Sequence, residues 1–92
     1  MIPIDLSGKR ALVMGVSNSR SLGWAIAARL RDAGAELAFS YQGERLREDL
    51  EKLTKDMPGT RLAPCDVTNE EELRSLFAGL KEAWGGLDYV VH

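Results

Sequence analysis

The chain has 92 residues, 45% hydrophobic and 28% charged, with a formal net charge of -2. That balance is globular rather than disordered, and the length suits one domain or part of one. No long basic run offers a nucleic-acid footprint, and no apolar stretch approaches the length that spans a bilayer.

The opening Met1-Ile2-Pro3-Ile4-Asp5 has no basic region before a long apolar run, so it does not read as a signal peptide. Ser7-Gly8-Lys9 is a turn, and Arg10 to Met14 follows as a strand. That strand is apolar without alternation, as expected where both faces of a parallel sheet are covered. It stops at Gly15, and a polar loop from Val16 to Arg20 leads into a helix over about Ser21 to Ala33. Trp24, Ile26, Ala27, Ala28 and Leu30 give the helix a broad apolar stripe, and Gly34 suits its C-terminal turn.

Glu36 to Tyr41 is predicted as the second strand, with Leu37, Phe39 and Tyr41 alternating with smaller residues. A second helix covers about Glu44 to Asp56, with Leu46, Leu50 and Leu53 on one face, and Pro58-Gly59 ends it. Its Arg45, Arg47 and Lys52 interleave with Glu44, Glu48, Asp49 and Glu51 as a solvated face with i,i+4 pairs. Arg61 to Cys65 reads as a short third strand. Pro64 removes a ladder donor there, which an edge position or a bulge would accommodate.

Thr68-Asn69-Glu70-Glu71 has the spacing of a capping box, with Thr68 as N-cap and Glu71 reaching back. The third helix then carries Leu73, Leu76, Phe77, Leu80 and Trp84 at helical spacing until Gly85-Gly86 breaks it. Leu87 to His92 reads as the start of a fourth strand. The order β-α-β-α-β-α-β predicts an α/β fold, the first half of a doubly wound Rossmann parallel sheet with right-handed crossovers. Residues 1–92 are thus expected to be the N-terminal part of one dinucleotide-binding domain.

Ligands of such sheets bind beyond the carboxyl ends of the strands. Gly15 ends the first strand, where a side chain would block close approach of a pyrophosphate. Ser21 stands at a helix N-terminus, whose free N–H groups and dipole stabilise phosphate charge. Gly23 allows the helix to pack closely on the strand. Gln42 ends the second strand, at the place of a ribose-binding residue. Asp66 and Val67 end the third, where the carboxylate could accept from the adenine amino group and Val67 could lie against the ring. Plainer readings stand beside these: Gly15 a turn glycine, Ser21 an N-cap, Gln42 an exposed turn residue, Asp66 a helix-entry residue. The case rests on three strand ends pointing to one ligand.

Cys65, the single cysteine, permits no disulfide within the chain, and this fits a reducing cytoplasm. It has neither a neighbouring His nor a second Cys, so it reads as a small buried hydrophobe. The one histidine, His92, is read as packed or exposed rather than catalytic, and no metal-ligand spacing or serine–histidine–acid set is present.

Gly15-x5-Ser21-x-Gly23, Ala35 to Gln42, Cys65-Asp66-Val67 and Asp88 to His92 together resemble the bacterial NADH-dependent enoyl-acyl-carrier-protein reductases. These are a divergent branch of the short-chain dehydrogenases/reductases, and the resemblance covers essentially the whole chain. It implies an oxidoreductase of fatty-acid biosynthesis that uses NADH to reduce a trans-2-enoyl thioester. Implied cofactor contacts are Gly15, Ser21, Leu22, Gln42, Asp66 and Val67, with Ser21 and Leu22 lining the pyrophosphate turn. The family's catalytic tyrosine and lysine lie well past position 92, Tyr41 and Tyr89 belong to other motifs, and the chain alone is expected not to turn over. An enoyl acyl-carrier-protein substrate and a homotetrameric parent are also implied. Two alternatives stay open: another short-chain reductase using NADPH, for which Arg45 speaks, and a non-catalytic dinucleotide-binding module.

Overall fold

A computed structural model describes residues 5–14, 16 and 22–91. The elements are β1 (Arg10–Val13), α1 (Leu22–Asp32), β2 (Glu36–Tyr41), α2 (Glu44–Thr54), β3 (Arg61–Pro64), α3 (Glu70–Trp84) and β4 (Tyr89–Val91). They form one parallel sheet in the order β3-β2-β1-β4. Successive right-handed crossovers from β1 to β2 to β3 put α1 and α2 on one face. The return from β3 to β4 puts α3 on the other. The strand order reverses at β1, the point where such sheets open a crevice.

Strand neighbours point to opposite faces, so each face receives its own core. Ala11, Val13, Leu37 and Phe39 pack with Ala27 of α1, Leu50 of α2 and Met57. Leu12, Met14 and Ala38 pack with Cys65 and with Leu76, Leu80 and Trp84 of α3. Phe39 is fully buried and its ring stacks on Trp24, 5.9 Å between centroids. The uninterrupted apolar run of β1 is thereby explained: both faces are covered, and β2 and β4 flank it.

Pro64 is accommodated at the sheet edge, as its missing N–H requires. β3 pairs only with β2, and Pro64 is its last residue, opposite Tyr41. The predicted strand extends one residue too far, although Cys65 N still donates to Tyr41 O at 2.8 Å. At the end of α1, Gly34 N donates to Arg31 O and Ala35 N to Leu30 O, with Gly34 at φ 102°. This is the left-handed close expected of that glycine. α2 ends at Thr54, short of Asp56, where the buried Thr54 hydroxyl donates to Leu50 O at 2.7 Å.

Two expectations for α3 need correction. Its N-cap is Asn69, not Thr68: Asn69 Oδ1 accepts from Glu71 N (3.0 Å) and Glu72 N (3.2 Å). Thr68 is withdrawn from capping because its hydroxyl and N–H both donate to Asp66 Oδ1. Glu71 therefore has no Thr68 cap to close. Phe77 is 39% exposed, lying at the rim of the stripe whose buried members are Leu76, Leu80 and Trp84.

Arg10 ties the amino end of the sheet together. Its N–H donates to Asp88 Oδ2 at 2.9 Å and its Nε to Glu36 Oε2 at 3.3 Å. Its guanidinium also donates to Trp84 O and lies 5.7 Å from the Trp84 ring centre. This brings β4 alongside β1 and leaves the opposite, carboxyl end free for a ligand.

Candidate functional site

The described residues of the site come from the carboxyl ends of β1, β2 and β3. Gly23, in the first turn of α1, approaches β1 so closely that a Cβ built on it would stand 3.1 Å from Val16 Cγ2. The start of α1 is thus held against the end of β1, as a glycine there predicts. Leu22, at the tip of this helix, is 77% exposed. Gly15 and Ser21 lie outside the described residues, as does His92.

Between the ends of β2 and β3 is a cleft of about 180 Å³, lined by Val16, Ser40, Tyr41, Gln42, Leu46, Cys65 and Val67. Gly43, at φ 93°, turns the chain from β2 into α2, and so places Gln42 and Leu46 on the same cleft. Val67 is 42% exposed, an apolar group presented to solvent at the mouth. The cleft therefore has apolar walls and an amide at its rim. The structure brings Gln42 and Val67 together there and places Asp66 in the turn between Cys65 and Val67. A larger hollow of about 480 Å³ runs alongside β3 and α3, between Arg61 and Gly79. It is a groove beside the edge strand and gathers none of the candidate residues.

Asp66 is oriented by its own turn. Oδ1 accepts from Thr68 N (2.9 Å) and Thr68 Oγ1 (2.6 Å), while Asp66 N donates to Glu72 Oε1 at 3.3 Å. Oδ2 has no partner among the described residues and can accept from a ligand. The two bonds from Thr68, first its hydroxyl and then its N–H, hold the Asp66 carboxyl below the usual aspartate value. A carboxyl lowered in the folded state contributes stability above its unfolded pKa and loses it as pH falls through the folded value. An NMR titration is expected to find Asp66 ionising below an ordinary aspartate, and Thr68→Val is expected to return it toward that value. An Asp66 titration unmoved by Thr68→Val would refute this cause.

Cys65 is buried, and burial, helped by Glu72 and Asp66, pushes its thiol up. It serves as wall rather than nucleophile, as its isolation in the sequence predicts. On α2, Arg47 is engaged by Glu51 (3.1 Å) and Glu44 (3.3 Å), whereas Arg45 makes no ion pair among the described residues. Sequence reasoning missed Leu46, Ser40, Tyr41, Val16 and Cys65 as lining. Leu46 reads as part of the core stripe of α2, and only its place in the first turn after Gln42 hinted at the cleft. Among the described residues there is no cluster able to hold a metal ion, and no helix is long and apolar enough to cross a membrane.

The family model for the enoyl-(acyl carrier protein) reductases matches residues 15–92, from the end of β1 onward. The chain belongs to this family. The NADH-named enoyl-[acyl-carrier-protein] reductase 2 of Rhizobium meliloti is 46% identical over 87 residues, covering 95% of this chain and 32% of that protein. Among solved structures, the Anaplasma phagocytophilum reductase in complex with NAD has a TM-score of 0.89 and 35% identity, covering 99% of this chain and 35% of that one. The Bacillus cereus reductase with NADP+ and an indole naphthyridinone has a TM-score of 0.90 and 44% identity, covering 97% and 35%. The chain spans about a third of the length of the curated relatives it matches.

Proposed function

We propose that the chain supplies the cofactor-binding half of an NADH-dependent enoyl-acyl-carrier-protein reductase of fatty-acid biosynthesis. The reading is carried by the convergence of Gln42, Val67 and the oriented Asp66 on the carboxyl ends of adjacent strands in a member of this family. The residues fit the adenosine half of such a cofactor. The cleft has apolar walls for a base, Asp66 Oδ2 is open to an amino group, and Gln42 stands at the rim for ribose hydroxyls. Gly15, Ser21 and Leu22 are assigned to the pyrophosphate, on the free N–H groups at the start of α1. Bound there, the cofactor supplies the hydride that reduces the β-carbon of a trans-2-enoyl thioester, after which the enolate is protonated.

The chain's own residues bind and orient. Asp66 fixes the base, Gln42 the ribose, and the close contact of Gly23 with Val16 holds α1 where its N-terminus meets the diphosphate. No residue of the chain is assigned a catalytic role. An acyl-carrier-protein-linked enoyl substrate, a homotetrameric assembly and a cytoplasmic setting complete the proposal, as the family resemblance and the single buried thiol suggest.

Gln42 carries no charge to repel a 2′-phosphate and none to bind it, and NADH is the expected partner. Arg45, on the first turn of α2 and without an ion pair among the described residues, favours the second reading, NADPH. Steady-state rates of the reductase with an enoyl thioester are expected to show kcat/KM higher for NADH than for NADPH by about tenfold or more, the scale of one or two lost polar contacts. A strong NADPH preference would overturn the cofactor assignment. Absence of thioester-dependent NADH oxidation would overturn the reaction.

A further inference from the structure

Among the described residues only Ser40 and Thr54 are buried and polar. Thr54 has its partner, the Leu50 carbonyl. Ser40 is 4% exposed and its hydroxyl makes no hydrogen bond among the described residues. It sits on β2 opposite Ala63 of β3, two residues after Ala38, so that the two share one face of the strand. Ala38 is wholly apolar packing against the α3 side. An alanine would serve at position 40 in the same way, and packing alone gives no reason for a hydroxyl there. Yet no sealed side-chain oxygen among the described residues lacks a partner. The Ser40 hydroxyl is therefore reached from outside, and the cleft that Ser40 lines with Gln42, Leu46, Cys65 and Val67 is the opening on its side of the strand end.

We infer that Ser40 is a nucleotide-binding residue whose hydroxyl hydrogen-bonds the adenosine half of the cofactor, deeper in the cleft than Gln42. The inference rests on the cofactor reading above and adds a contact that the strand-end motif does not contain. In the unbound protein only solvent meets the hydroxyl, and the nucleotide takes the place of that solvent as its partner. Affinity is then lost on substitution without a loss of stability. A purely structural serine would lose both together.

The test uses adenosine 5′-monophosphate as the probe, with calorimetric titration and thermal unfolding of the wild-type protein and of Ser40→Ala. Ser40→Ala is expected to weaken binding about fivefold, the scale of one net hydrogen bond. Its unfolding temperature without ligand is expected to be equal or higher. Ser40→Cys, similar in shape and a weak donor, is expected to bind nearly as poorly as the alanine variant. Equal affinity of wild type and Ser40→Ala overturns the inference while leaving the cleft assignment standing. A lowered unfolding temperature with unchanged affinity overturns it in favour of a structural serine. Failure of the wild-type protein to bind the nucleotide overturns the cleft assignment itself.

Discussion

Phe39→Ala is expected to lower the unfolding free energy by about 3–5 kcal/mol, the range for deleting a buried aromatic ring. Phe39 is wholly inaccessible, sits on a central strand between β1 and β3, and stacks on Trp24. Its removal opens a cavity under α1 and α2 at once, because Ala27 and Leu50 belong to the same cluster. Neither helix can settle into the gap without leaving its other contacts. A domain of this size has about 5–15 kcal/mol in total, so the variant is expected to be largely unfolded at modest urea concentration. Equilibrium denaturation followed by Trp fluorescence reads the change. A loss below about 1 kcal/mol would mean that the ring is not the centre of this face. Leu50→Ala is the matching control from the helix side.

The largest effect on binding is expected at Asp66. Asp66→Ala removes both the open Oδ2 and the acceptor of two Thr68 bonds that shape the turn. Hydrogen bonds to a charged acceptor contribute about 1.5–3 kcal/mol, so affinity for adenosine 5′-monophosphate is expected to fall about tenfold to a hundredfold. Asp66→Asn keeps the acceptor geometry for Thr68 without the charge, and an intermediate loss is expected. Inosine 5′-monophosphate lacks the adenine amino group and gives the decisive comparison. Wild-type protein is expected to prefer the adenine nucleotide, and Asp66→Ala to bind both equally weakly. An unchanged preference in the variant would place the amino group elsewhere.

Three features of the candidate site are legible in the sequence. Gln42 follows the alternating β2, Asp66-Val67 follows the apolar β3, and Gly23 stands at the start of a helical stripe. The periodicities are local, and short-range sterics enforce them. Two misreadings have equally specific causes. Thr68 and Asn69 are both good caps, and the choice between them turns on Asp66, which claims the Thr68 hydroxyl two residues earlier. Phe77 fits the helical period of α3, but the buried stripe is Leu76, Leu80 and Trp84, and Phe77 stands beside it on the helix with its side chain partly exposed.

The order and type of elements, the turn glycine at Gly34 and the tolerance for Pro64 at an edge followed from the amino acids alone. Each depends on backbone sterics or on hydrogen-bonding capacity within a few residues. The strand order β3-β2-β1-β4, the division of the helices between two faces and the place of Ser40, without a hydrogen-bond partner among the described residues, on the cleft between β2 and β3 did not. These depend on which distant segments meet. A serine in a strand carries no mark of whether its neighbour across the sheet will offer it a hydrogen bond.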